Sequence, residues 1–285
     1  MASVQPLADP ADLEADEREA VAVLIKRLAD DEFVIAERYT EWQVYAPTLE
    51  SDLALSNIAQ DELGHARIWY DVLEPFGLAE TDLLWERDPE TFVHATLTER
   101  PFEDGDWADP IVRSYLYDTA EAVRLDAVAD SSYRPIADRV PKIRREEEYH
   151  REHAQSWLER LVATEDGHAR VQGALDRLFP HALTIFTPVD EDVEARIDEL
   201  GLRTEPLPAL GEQWLETVVP FLESLALEPP IPESGEITDD LLPDRRGRDG
   251  NHDDAWFELY ADFTHTYREL DRDYAGRIMR PGDDT

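Results

Sequence analysis

The sequence predicts an all-α protein. Apolar residues recur at steps of three, four and seven along most of the chain, which is the spacing of one helix face. Alternating apolar and polar residues, the pattern of a half-buried strand, are nearly absent. At 285 residues and 32.7 kDa the chain is long enough to bury a sizeable core.

The first two long helices are predicted at about residues 14–45 and 48–76. The pair AP at 46–47 ends the first helix, and Gly77 follows the second. One apolar stripe runs along the first helix, at Leu24, Leu28, Ile35, Tyr39 and Trp42. These two segments predict a helical hairpin.

A connection with DP, RP and EDGD turn signals and at most one short helix is predicted at 80–108. Two further long helices follow at about 109–134 and 136–164, divided near Pro135. They predict a second hairpin, so that residues 14–164 form a four-helix core.

The remainder is predicted to be accessory helices, about 166–279, in the same single domain of residues 1–285. A fifth helix starts at TEDGH, 164–168, and ends near Pro188. Segments rich in proline, glycine and charge indicate one long loop, about 228–254. Weaker amphipathic helices are predicted at about 190–200 and 207–226, and a last helix at about 254–279.

The amino-acid composition limits the kinds of partner that the chain can bind. The chain has 66 Asp and Glu against 27 Lys and Arg, a formal charge of −39, which argues against binding to nucleic-acid phosphates or an anionic membrane. This acidity is spread over every predicted helix and indicates a halophilic, salt-adapted surface. There is no cysteine, which excludes disulfides and thiolate sites. The sequence has no membrane-length apolar run and no signal peptide, so we expect a cytoplasmic protein.

Outside the loop predicted at about 228–254, four histidines have an acidic residue three positions earlier, a match that chance supplies easily in so acidic a chain. Glu165–His168 falls at a glycine-containing turn, and Asp262–His265 lies on the last helix without an evident partner. We therefore expect ordinary structural roles for His168 and His265. The other two pairs fall on the apolar stripes of the second and fourth helices, where a buried carboxylate needs a cation or hydrogen bonds. They are Glu62–His65 and Glu147–His150.

These two pairs repeat at a constant offset, because Glu62 and Glu147, and likewise the two histidines, are 85 residues apart. The preceding helix of each hairpin offers a carboxylate on its own stripe, namely Glu32 and Asp118, with Glu37 as the reserve for Glu32. Glu121, Glu146 and Glu148 are expected to be solvated or to support the ligands, and His153 to be exposed or supporting.

One carboxylate from each of two helices and Glu-x-x-His from each of two others is the ligand set of di-iron carboxylate bundles. The oxygen and nitrogen shell without thiolate favours two iron ions over zinc. A bundle with buried ion pairs and no metal is the alternative. Tyr39, Tyr115, Trp69 and Trp157 suit core packing better than an electron route. The proposed ligands are Glu32, Glu62, His65, Asp118, Glu147 and His150.

Four stretches resemble the ferritin-like subunits of the phenylacetyl-CoA epoxidase complex of phenylacetate catabolism. They are EWQVYAPTLESDLALSNIAQDELGHAR (41–67), SYLYDTAEAV (114–123), EEEYHREHAQSWLERL (146–161) and GNHDD (250–254). The ligand positions resemble the catalytic subunit, whereas DLALSNI, WLERL and Gly-Asn-His resemble the structural subunit. The resemblance implies a ferritin-like bundle and a di-iron monooxygenase that epoxidises an aromatic acyl-CoA with O2.

The same resemblance implies the partners: a homologous ferritin-like subunit or a second copy, and an external reductase as the electron source. The chain itself has no dinucleotide-binding glycine motif. Lys142, Arg144 and Arg145 can meet CoA phosphates or form a solvated helix face. A non-catalytic scaffold subunit is the alternative function. A ferritin-like iron oxidase or storage protein fits less well, because of the accessory helices.

Overall fold

The computed structural model describes residues 7, 9–102, 105–231, 237 and 239–269. This part of the chain is helical and contains no strand, only one isolated parallel bridge between Leu7 and Tyr133. The helices are α1 Ala15–Trp42, α2 Leu49–Tyr70, α3 Thr96–Glu99, α4 Ala108–Val128, α5 Arg134–Ala137, α6 Val140–Leu161, α7 Glu165–Leu183, α8 Glu191–Leu200, α9 Leu207–Ser224 and α10 Asp254–Glu269.

The prediction of an all-α ferritin-like bundle is confirmed. Helix α1 packs along α2 and α4 packs along α6, so the two hairpins form the four-helix core. Helices α7 and α9 pack on α4, and α8 packs on α1. None of the helices in the described ranges combines the length and apolar character that a membrane crossing needs.

Local chemistry explains where the hairpin helices begin. The backbone N–H of Glu14 donates to Glu17 at 2.8 Å, which forms a capping box at the start of α1. Helix α2 starts at the Thr48 cap, whose hydroxyl accepts from the Ser51 N–H at 3.2 Å. Both caps fix the helix ends near the predicted residues.

Several predicted boundaries were wrong: the fourth long helix begins at Val140 instead of residue 136, the fifth ends at Leu183 instead of near Pro188, and two others differ more. The second helix ends at Tyr70 instead of residue 76, and a 3₁₀ segment containing Pro75 continues the chain to Phe76. The third helix ends at Val128 instead of residue 134, and the chain turns at residues 129–130 before Ser132 contacts other segments. The Ser132 N–H donates to the Gly201 carbonyl at 2.9 Å, and its carbonyl accepts from Leu7 at 2.8 Å. A tertiary contact has overridden local propensity.

The predicted loop at 228–254 contains no α-helix in its described residues. Gly247 and Gly250 have φ angles of +75° and +78°, and an added Cβ at Gly247 would lie 2.3 Å from the carbonyl oxygen of His94. The loop therefore lies directly against the bundle, and glycine permits that approach. The predicted end of the last helix, near residue 279, lies outside the described residues.

Candidate metal centre

The six predicted ligand residues lie in the interior of the four-helix core. Glu32 projects from α1 and Asp118 from α4, while α2 and α6 each supply a Glu-x-x-His pair. Five of the six are completely buried, and Glu147 is 2% exposed. The apolar residues that surround each pair along its helix are buried too, for example Ile58 and Ala66. The apolar stripe thus carries the polar residues inward.

The side chain of His65 marks the centre of a tight cluster. Its Nδ1 lies 3.2 Å from Glu147 Oε1, 3.6 Å from Glu32 Oε2 and 3.9 Å from Glu62 Oε2. One ligand atom from each of these four residues lies within 4.8 Å of all the others. A single cation can therefore reach all four side chains.

His150 mirrors His65 on the other side of the cluster. Its Nδ1 lies 3.4 Å from Glu62 Oε1 and 3.4 Å from Glu147 Oε1. The two imidazole centroids are 6.2 Å apart. Glu62 and Glu147 each face both histidines, so these carboxylates have the arrangement that bridging ligands need.

Asp118 shares the same buried space but lies outside the tight group. Its Oδ2 accepts a hydrogen bond from Ser114 at 2.7 Å, and its Oδ1 has no hydrogen-bond partner. Burial raises the pKa of Asp118 well above its usual range, and the nearby charge of Glu147 adds to the effect. The free Oδ1 makes Asp118 a candidate ligand for a second cation next to His150.

The donor atoms fit a metal. Both carboxylate oxygens of Glu32, Glu62 and Glu147 are buried and accept no hydrogen bond, and the Nδ1 atoms of His65 and His150 also lack hydrogen-bond partners. Burying a carboxylate in this state costs several kcal/mol unless a cation compensates it. Oxygen and imidazole donors in this ratio suit iron or manganese.

The electrostatics describe how the metal-free cluster holds protons. Burial raises the pKa of Glu32 well above its usual range, and the adjacent Glu62 raises it further. Burial alone would lower the pKa of His65, but the nearby carboxylates of Glu147 and Glu32 raise it to about 12. Protons therefore supply the positive charge that a metal would otherwise provide.

Each histidine is held from outside by a carboxylate on the opposite hairpin. His65 Nε2 on α2 donates to Glu146 Oε2 on α6 at 2.8 Å, and His150 Nε2 on α6 lies 3.4 Å from Asp61 Oδ2 on α2. A carboxylate on Nε2 directs Nδ1 toward the metal and raises its basicity. Glu146 was expected to be solvated or supporting, and it supports His65.

Sequence reasoning missed Asp61. The signal was present, because Asp61 and Glu146 precede their glutamate ligands directly and are themselves 85 residues apart. The repeat therefore extends from the ligands to the groups that orient them.

The other candidates lie elsewhere. Glu37 is outside the group of converging ligand atoms, and burial together with Glu41 raises its pKa to about 7. The expectation that Glu121 is solvated was wrong, because its side chain is buried and paired with Arg124. Glu148 is exposed and His153 is partly buried.

The two histidines assigned ordinary roles have such contacts. His168 Nε2 donates to the Ala226 carbonyl at 3.0 Å, and His265 lies on an exposed face, 3.7 Å from Glu269. Tyr39 is buried close to the centre, and burial together with the charges of Asp118 and Glu62 raises its pKa.

A second buried group, His94, Glu99 and His252, has metal-ligand residue types too. Both histidines contact Glu99 Oε2 at 2.8 Å, and the other oxygen accepts from the Asp253 N–H at 3.0 Å. His252 Nε2 donates to the Phe92 carbonyl at 2.9 Å. These hydrogen bonds occupy both carboxylate oxygens of Glu99 and both ring nitrogens of His252. The group therefore anchors the Gly-Asn-His segment to the rest of the fold.

Comparison with known proteins identifies the family. The model of the phenylacetic acid catabolic protein family matches residues 3–273. The chain belongs to this family. Two similar proteins are subunits of 1,2-phenylacetyl-CoA epoxidase from Escherichia coli K12, designated C and A. The chain is 30% identical to the first over 207 residues, which cover 72% of this chain and 82% of that protein. It is 28% identical to the second over 195 residues, which cover 67% of this chain and 62% of that protein.

Proposed function

We propose that this family member is the metal-bearing subunit of an oxygenase of the phenylacetyl-CoA epoxidase type. The observation that carries the proposal is the set of buried carboxylate oxygens and imidazole nitrogens without hydrogen-bond partners on four helices. Both similar proteins are subunits of such an epoxidase. The proposed substrate is an aromatic acyl-CoA, and the proposed site of action is the cytoplasm.

Two iron ions would be held by Glu32, Glu62, His65, Asp118, Glu147 and His150. Bound iron would supply the activation of O2, one atom of which passes to the aromatic ring while the other leaves as water. That balance needs two electrons and two protons, and we propose a separate reductase as the electron source.

The chain's own residues have three tasks in this proposal. Glu62 and Glu147 lie between the two histidines and neutralise the metal charge at the centre. Glu146 and Asp61 orient the imidazoles from outside. The apolar neighbours on α2 and α6 keep bulk water away from the centre, which preserves the electrostatic attraction between carboxylates and metal.

A cavity of about 170 Å³ reaches the centre from the surface between α4 and α6. Its lining combines three acidic residues and two arginines with one alanine: Asp126, Glu147, Glu148, Arg144, Arg151 and Ala122. Arg144 is exposed and paired with Asp126. Of the predicted basic cluster, Arg144 therefore has the best position to meet an anionic part of the substrate, while Lys142 and Arg145 are exposed on α6.

The experiment is a single-turnover assay. The iron-loaded chain, alone and mixed with a homologous ferritin-like subunit, is reduced chemically and exposed to O2 with phenylacetyl-CoA. We expect oxygenated product from wild type and from Glu50→Ala, an exposed control on α2, and none from Glu62→Ala. Product from Glu62→Ala at the wild-type level would overturn the proposal.

The alternative is a non-catalytic scaffold subunit. The resemblance of DLALSNI and WLERL to a structural subunit favours this alternative, but the complete ligand set argues against it. A chain that contains no iron after loading, yet is required for product formation by its partner, would establish the scaffold function.

A further inference from the structure

Four arginines surround a small cavity that none of the six proposed metal ligands lines. Arg27, Arg124, Arg203 and Arg248 line a space of about 30 Å³. Each is between 5% and 8% exposed. The remaining lining residues are apolar except for Thr187. The charged part of this wall is therefore exclusively cationic, in a chain with 66 acidic and 27 basic residues.

The arginines come from parts of the chain that only the fold brings together. Arg27 lies on α1 and Arg124 on α4, whereas Arg203 precedes α9 and Arg248 precedes α10. Two of them thus belong to the four-helix core and two to the accessory C-terminal part. Burying four guanidinium groups around one cavity is costly unless negative charge compensates them.

Carboxylates compensate the arginines in pairs. Asp31 accepts from both Arg124 and Arg248, the latter through Nη2 at 2.7 Å. Glu194 lies between Arg27 and Arg203, with Arg203 Nη2 at 2.6 Å. None of these carboxylates lines the cavity.

The outer contacts follow the same pattern. Arg124 also pairs with Glu121, and Arg203 Nε donates to Asp198 at 2.8 Å. Glu121 and Asp198 do not line the cavity either. The carboxylates therefore hold the guanidinium groups in place, and the charged side chains that line the cavity are all hydrogen-bond donors.

Donor capacity remains in the cluster. The Nε atoms of Arg27 and Arg124 are buried and have no hydrogen-bond partner. Burial lowers the pKa of Arg248, and the charges of Arg124 and Arg27 lower it further against the opposing effect of Asp31. At Arg248 the carboxylate thus does not fully offset burial and the neighbouring arginines, whereas at Arg124 the charges of Glu121 and Asp31 outweigh burial and raise the pKa.

The size of the cavity limits what can fill it. A single water needs about 10–15 Å³, so a space of about 30 Å³ suits a chloride-sized ion but excludes a nucleotide or an acyl-CoA. Guanidinium groups reject a metal cation. Water can fill the space but brings no negative charge.

We propose that Arg27, Arg124, Arg203 and Arg248 bind a small inorganic anion of halide size. The ion joins the C-terminal part, through Arg203 and Arg248, to the helices that carry the metal ligands. Its binding stabilises the folded chain, because the unfolded chain does not assemble the four arginines. The proposal is independent of the oxygenase activity.

The first test is crystallographic. Crystals of the full chain grown or soaked in sodium bromide are measured at the bromine absorption edge. We expect an anomalous peak inside the cavity, within hydrogen-bond distance of the guanidinium groups. A cavity with water density and no anomalous peak would overturn the proposal.

The second test measures stability with matched variants. Leu24 lines the cavity, so Leu24→Glu places a tethered carboxylate there, whereas Leu24→Gln is the neutral control. At a chloride concentration ten times the Kd, the folding constant of wild type rises about elevenfold, which for a chain of 285 residues is a shift in Tm of about 2–3 °C. The rise is measured against sodium gluconate of equal concentration and must saturate.

We expect Leu24→Glu to lose this chloride-specific rise and Leu24→Gln to retain part of it. Equal shifts in chloride and gluconate for wild type would overturn the proposal even if bromide appears in the crystal, since binding would then occur only at crystal concentration. If Leu24→Glu does not fold, the wild-type salt comparison and the bromide map still decide.

Discussion

Removing the carboxylate that supports His65 should weaken metal binding more than removing the one that supports His150. Glu146 Oε2 is 2.8 Å from His65 Nε2, an optimal hydrogen bond, whereas Asp61 Oδ2 is 3.4 Å from His150 Nε2, near the outer limit. Both carboxylates are partly exposed, with side chains 34% and 41% accessible, so their replacement should leave the fold intact.

The magnitude follows from the contacts. Loss of such a supporting group costs about 10- to 100-fold in metal affinity. We expect the metal affinity to fall about 100-fold in Glu146→Gln and about 10-fold in Asp61→Asn, which corresponds to about 2.7 and about 1.4 kcal/mol. The hydrogen bond to His150 also lowers the pKa of Asp61, in keeping with a favourable but longer contact.

The assay is an anaerobic competition titration with ferrous iron and a chelator of known affinity. Glu148→Gln is the matched control, because Glu148 neighbours the ligand Glu147 on α6 but is exposed. Thermal unfolding of the metal-free variants checks that the fold is unchanged. The reasoning would be refuted if Glu146→Gln bound iron as tightly as Glu148→Gln does. It would also be refuted if Asp61→Asn lost more iron affinity than Glu146→Gln.

Three further results are expected. Gly247→Ala should destabilise the chain by at least about 2 kcal/mol in denaturant unfolding, since its Cβ would meet the His94 carbonyl and the residue has a positive φ angle. The control Gly173→Ala on α7 should be neutral or stabilising. Equal effects of the two substitutions would contradict this prediction. Burial and the neighbouring His252 lower the pKa of His94 to about 4, so the unfolded chain binds this proton before the folded chain does as the pH falls. The free energy of unfolding should therefore drop between about pH 6.5 and 4, and the drop should be smaller in His94→Gln by up to about 3 kcal/mol. Parallel pH profiles for wild type and His94→Gln would exclude this effect. Iron loading should release protons into weak buffer and tighten as pH rises, because His65, with its pKa raised to about 12, must lose its proton to bind; loading without proton release would count against the site.

The core of the site could be predicted because it depends on local periodicity. Glu62 and His65 share a helix face at a spacing of three, and their position on an apolar stripe directs them inward. The repeat at Glu147 and His150 then identified the second hairpin. Asp61 was missed although it follows the same offset, because a supporting carboxylate leaves no pattern of its own on a wet helix surface.

Other features depend on contacts between distant parts of the chain. The segment after α4 is held by hydrogen bonds from Ser132 to Gly201 and from Leu7 to Ser132, which no local pattern at residue 129 could indicate. Glu99 pairs with histidines on either side of it, one of them 153 residues away. The arginine-lined cavity combines residues from four separate elements in the same way.

The iron content of the reconstituted chain tests the central claim most directly. The purified protein is loaded anaerobically with excess ferrous iron, desalted and analysed for iron against protein concentration. Two irons per chain are expected for wild type, and fewer than one for Glu62→Ala. A wild-type chain that binds one iron or none, or a Glu62→Ala variant that still binds two, would contradict a di-iron centre built from these helices.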